Sequence, residues 1–152
     1  MRDTITPPIL VALFDYWDGK RSDRPMPARD DIDPVEIPRL LPNVYLVDVG
    51  ETILDYRFRL MGTAAVEGFG EERTGRNFTV LEKVDNSARV LSEYEAVVQS
   101  AHPGYLDATP ISREDFHRIY YRLILPLSDD GTRVNMLLCG AHFEPAERGS
   151  RW

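Results

Sequence analysis

Cysteine is almost absent from this 152-residue sequence, where Cys139 stands alone. One thiol makes neither an internal disulfide nor a cysteine-rich zinc site, and such usage suits a reducing compartment, so the expected location is the cytoplasm. Lysine is scarce as well, with two against sixteen arginines. Together these 18 cations face 25 acidic side chains, for a formal net charge of −7. An acidic chain lacks the clustered positive charge that drives nucleic-acid binding, and anionic membrane surfaces repel it; neither partner is expected. No apolar run is long enough to cross a bilayer, and the N-terminal segment 1–17 is too short and too broken for a signal peptide. There is no internal repeat, no nucleophile elbow and no phosphate-binding glycine loop. Gly68-Phe69-Gly70 lacks dinucleotide-loop spacing and reads as a turn. Asp30, Asp31 and Asp33 lack the spacing of a calcium loop, and Asp129-Asp130-Gly131 reads as a hairpin turn, so no metal is expected.

What is present describes one soluble domain, with 43% apolar and 28% charged residues. Residues 8–17 place Ile9, Leu10, Leu13, Phe14 and Trp17 on one helical stripe, with Asp18-Gly19 as its stop. Residues 20–33 read as an extended arm. Asp33-Pro34-Val35-Glu36 reads as a helix start, with Asp33 as cap and Glu36 reaching back to the cap amide. Strands are expected at 43–49 and 53–61, the second with Leu54, Tyr56, Phe58 and Leu60 on one face and Asp55, Arg57 and Arg59 on the other. A short helix at 63–68 precedes a long one at 86–101, capped by Asp85 or Asn86, whose stripe is Leu91, Tyr94, Val98 and Ala101. Three more strands follow at 104–109, 116–127 and 133–144. On the middle one Ile119, Tyr121, Leu123, Leu125 and Leu127 share one face, and Arg118, Tyr120 and Arg122 the other. The fold class is therefore α+β: a five-stranded antiparallel sheet with short helices on one face and an extra N-terminal helix. The expected division is an N-terminal helix and arm at 1–42, a domain at 43–144 and a frayed tail at 145–152. The first helix either covers the far face of the sheet or pairs with a second subunit.

This order of elements resembles a PAS domain, and more closely a bacterial stand-alone PAS-like subfamily formerly catalogued as a domain of unknown function. The resemblance is carried by Phe14-Asp15-Tyr16-Trp17, by the stretch Pro27 to Pro34 leading to Leu40-Leu41-Pro42, and by Tyr56 to Thr63 with Gly70 and Thr74-Gly75. It implies a sensory or protein-interaction role without a defined chemistry. Gly75-Arg76-Asn77-Phe78 resembles the flavin motif of light-sensing members, except that Phe78 stands where those carry the reactive cysteine. The haem-binding members carry a histidine on the long helix, and residues 86–101 hold none; His102 lies just beyond. His117 and His142 fall in strands, and Cys139 reads as a small buried hydrophobe. No cofactor is expected.

Phe58, Leu60, Phe69, Phe78, Tyr94 and Tyr121 are expected to converge inside, either as a filled core or around a small ligand. Arg57 and Arg59 form either a solvated sheet face or a docking face for the first helix, a second subunit or an anionic partner. Leu10, Leu13, Phe14 and Trp17 are the expected homodimer element. The reading is a non-catalytic cytoplasmic sensor or interaction domain that binds a small ligand and signals in trans to another protein. The alternatives are a structural adaptor, or a small cavity enzyme of isomerase or dehydratase type with Asp48, Asp107 or His117 as its base.

Overall fold

The computed structural model describes residues 1–113 and 116–145, so the tail expected at 145–152 lies, beyond Pro145, outside the described residues. Five strands make one antiparallel sheet: β1 (Val44–Asp48), β2 (Arg57–Met61), β3 (Gly104–Arg113), β4 (Phe116–Leu127) and β5 (Met136–Pro145). Their spatial order is β2-β1-β5-β4-β3. Two hairpins thus flank a helical crossover containing α2 (Thr63–Phe69) and α3 (Ser87–Ser100), and β1 meets β5 at the centre. The sheet, its connections and both crossover helices follow the order expected from the sequence.

The first helix, α1 (Pro8–Arg21), is longer than expected, running through Asp18-Gly19 to Arg21. A helix-interior glycine costs about 1 kcal/mol relative to alanine, and tertiary docking outweighs that. Leu10, Leu13 and Trp17 are buried against the chain's own β4 and β5. Gly140 on β5 makes the approach possible, because a Cβ there would sit 2.6 Å from Leu13 Cδ2 and 2.9 Å from Leu10 Cδ2. The Trp17 indole donates to the Pro126 carbonyl at 2.8 Å. Of the four expected dimer residues, three are therefore occupied within the chain, and Phe14 is half-buried beside Trp17. The arm is tied down too: Met26 and Ile32 are buried, Ser128 donates its amide to the Pro27 carbonyl, and Ile5 and Ile37 are buried on either side of the helix and arm. Residues 1–42 thus contribute to the same core as the rest.

Local signals hold in part. The Asp33 side chain accepts from the Val35 amide as a cap should, but Glu36 turns to the Tyr16 hydroxyl and Lys20 instead of the cap amide. Asn86 occupies the N-cap of α3 in a left-handed conformation (φ 58°) with no capping hydrogen bond from its side chain. Residues 53–55 form a tight 3-10 turn closed by Asp55 onto Thr52, so the second strand starts only at Arg57.

Two expectations about facing are corrected. On β2 the register jumps: Leu46 faces Leu60, but Val47 faces Phe58, which leaves Arg59 as the extra residue of a β-bulge. The bulge breaks the alternation. Phe58 and Met61 turn inward and Leu60 is left 51% exposed, outside the interior. On β4 the alternation is intact but the inward side is the opposite one. Tyr120, Arg122 and Ile124 face the crossover helices, whereas Tyr121 lies on the other face, tilted against the His142 ring and donating to Glu144 at 3.2 Å. With α1 covering the outer face, both faces of β4 are buried, and alternation alone no longer marks the interior.

Candidate functional site

An aromatic cluster forms the floor under the crossover. Phe78 is fully buried, with its ring centroid 4.9 Å from Phe58 and 4.8 Å from Tyr94. Tyr45 joins through a 2.6 Å hydrogen bond between its hydroxyl and that of Tyr94, and its ring stands edge-on to Phe69. Phe58, Phe69, Phe78 and Tyr94 are thus brought together as the sequence suggests, but Phe58 and Phe78 are packed solid. The flavin-like segment runs along the outer edge of β2, with Phe58 donating to the Arg76 carbonyl and Phe78 to that of Tyr56. The Phe78 ring fills the core at the position where the light-sensing pattern has its thiol. Cys139 is buried among the same groups, which pushes its thiol pKa up and makes it inert.

Beside this cluster lies a cleft of about 560 Å³ between α3, the 71–86 segment and strands β3 and β4. That volume suits a small organic ligand. Its walls are apolar where Leu81, Val90, Leu106 and Ile111 reach it, and aromatic where Phe69, Tyr94 and Tyr120 do. Two arginines sit inside. Arg73 is 4% exposed and lies over the Phe69 ring, 5.1 Å from its centroid, with Glu71 3.8 Å away. Arg122 is 2% exposed. Its guanidinium lies 4.9 Å from the Tyr94 centroid and 5.7 Å from that of Tyr120. One Nη donates to the Tyr120 hydroxyl at 3.3 Å, the other is ion-paired with Glu93 on α3, and Nε has no acceptor among the described residues.

Burying a guanidinium is costly unless its donors are met, so Arg122 dictates the chemistry of this site. Burial pushes the Tyr94 pKa up to about 12 even though the Arg122 cation pulls it the other way, and burial raises Tyr45 as well. Both hydroxyls therefore stay protonated and serve as hydrogen-bond groups, not as bases.

The other candidates lie elsewhere. Arg59 is ion-paired with Asp48 at 3.1 Å, which answers part of the charge on that strand, and Arg57 is exposed beside it. Two strands separate them from Arg118 and Arg122, so the four arginines do not share adjacent strands. Asp48, Asp107 and His117 sit on three different strands, and none lines the cleft. Asp107 accepts from the Tyr105 hydroxyl at 3.0 Å. No cluster of metal-ligating side chains occurs among the described residues, and no helix among them is long and apolar enough to cross a membrane.

Sequence reasoning missed Arg122, Arg73 and Glu93. A usable signal for the first was the unbroken apolar run Leu123 to Leu127 directly after Arg122. Such a run marks a strand buried on both faces, which makes a neighbouring arginine a buried one.

Comparison with known proteins agrees with this fold. The PAS domain family model matches residues 5–140. The chain belongs to the PAS domain family, whose members are sensory and interaction modules that often bind ligands. The match takes in α1 and the arm, in keeping with their place in the core. Similar solved structures include an RNA-binding light-oxygen-voltage receptor (TM-score 0.53, 17% identity, covering 72% of this chain and 32% of that one). A light-oxygen-voltage domain studied with a flavin analogue gives 0.51 and 14%, covering 76% and 84%. VqmA bound to DPO gives 0.51 and 14%, covering 72% and 56%. At these identities the likeness is one of fold. Among curated proteins none matches in sequence.

Proposed function

We propose that this chain is a non-catalytic cytoplasmic sensor that holds a small organic molecule in the cleft between α3 and strands β3 and β4. The observation that carries this reading is the cleft itself: apolar walls, aromatic rings and two buried arginines, of which Arg122 has an Nε without an acceptor among the described residues. A sparse polar group in an apolar recess orients a ligand, and the rest of the wall contributes burial. Of the similar structures, one is named as bound to DPO and one for a flavin analogue, which is in keeping with a ligand-binding reading. The ligand favours one arrangement of α3 against the sheet, and a partner protein reads that arrangement in trans. Self-association, where it occurs, uses the outward side of α1, since Leu10, Leu13 and Trp17 are already covered.

A thermal-shift screen of small organic molecules tests this when run in parallel on the protein and on Val90→Trp, which fills the cleft from the half-buried surface of α3. Compounds that stabilise the protein and not the variant are expected. Compounds that stabilise both equally, with none specific to the open cleft, contradict the reading.

A further inference from the structure

The ligand's chemical class follows from how Arg122 is held. We infer that the cleft takes a small organic anion, a carboxylate with an apolar body, which exchanges with Glu93 on Arg122. This rests on the cleft reading above and adds the charge of the ligand and the residue it displaces.

Three observations lead there. The cleft's charged lining is four cations, Arg73, Lys83, Arg89 and Arg122, against three carboxylates, in a chain whose overall charge is −7. A recess with a cationic balance in an acidic protein selects anions from a like-charged surround. Next, Arg122 cannot leave. It is 2% exposed, anchored by Tyr120 and flanked by two rings, and its Nε–H still lacks an acceptor among the described residues. A planar fork with an open donor suits a carboxylate better than a neutral carbonyl, because charge-assisted bonds are about twice as strong.

Glu93, by contrast, can leave. Its side chain is 26% exposed at the rim, and a second cation, Arg89, lies 3.6 Å away one turn earlier on the same helix. When a ligand carboxylate engages Arg122, Glu93 turns toward Arg89 and water without becoming an unpaired buried charge. Glu93 is therefore an internal stand-in for the ligand. The same Glu93–Arg122 pair, with Leu106, also borders a second recess of about 210 Å³ between α3 and the start of β3. Displacing Glu93 joins the two spaces and couples occupancy to α3.

Amide chemical-shift titration with phenylacetate and with phenylacetamide, its neutral isostere, tests the inference. Phenylacetate should shift amides on α3, β3 and β4 and bind about tenfold or more tightly than the amide. Glu93→Gln, a change at the half-exposed rim, should tighten phenylacetate severalfold and leave phenylacetamide unchanged. Equal binding of acid and amide at these strands overturns the anion assignment while leaving the cleft reading intact. Weaker phenylacetate binding in Glu93→Gln overturns the exchange. If neither probe perturbs α3, β3 or β4, the anion assignment fails, while the cleft reading stands or falls with the screen against Val90→Trp.

Discussion

Arg122 is a charge that the fold has to answer from within. Tyr94 and Tyr120 give it faces, and Glu93 gives it an anion. Arg122→Met removes the cation while Glu93 turns to Arg89 and water, so the expected loss in urea unfolding is that of the charged hydrogen bonds alone, about 1.5–3 kcal/mol. The tyrosine pair gives a second prediction. The folded state holds the Tyr94 proton up to about pH 12 against an ordinary value of 10.0, and the Tyr45 pKa is raised too, in both cases mainly through burial. The native state therefore binds more protons than the unfolded chain above pH 10. Stability is full below pH 10 and falls as pH rises toward 12. Urea midpoints measured across that window should decline, and less steeply in Tyr45→Phe; a flat profile would count against a buried hydroxyl pair. Neither residue's role was legible from composition. An arginine in an alternating strand reads as solvated until something is known to cover the opposite face.

At the scale of elements, α1 and the β2 bulge decide how far the sequence can be read. The helix was visible as a stripe, and its apolar side suggested a partner. That partner is the chain's own sheet, because Gly140 opens a flat place on β5 for Leu10 and Leu13. Trp17→Phe leaves the Pro126 carbonyl without its indole donor, and about 1–2 kcal/mol of stability should be lost, measured by denaturant unfolding with α1 helicity retained. No loss would mean that the indole bond does not secure the helix. The bulge was not visible. A one-residue offset carries no signal in apolar alternation, so Leu60 reads as inward and is exposed, while Met61 takes the buried place. The capping signal at Asp33 was legible because it is local: an acceptor two residues before the amide it meets. The cleft was not, since its lining joins residues on α3, β3 and β4 through contacts that no spacing along the chain encodes.

For the whole molecule, the order of helices and strands was sufficient to suggest a PAS domain, and the family match over residues 5–140 and the observed sheet agree. The interior was read as one pool of aromatics. The structure divides it into a packed cluster around Phe78 and an open cleft beside it, with Tyr94 and Phe69 in both. On the proposed reading the first serves stability and the second binding, a division that the family name alone does not make. The central claim is that the cleft holds a small molecule. It is tested most directly by comparing native and denatured masses of the protein purified from several hosts with those of Val90→Trp. The account predicts an excess native mass of small-molecule size in the protein that disappears both on denaturation and in the variant. The same excess retained by Val90→Trp, or bare protein from every host, would contradict it.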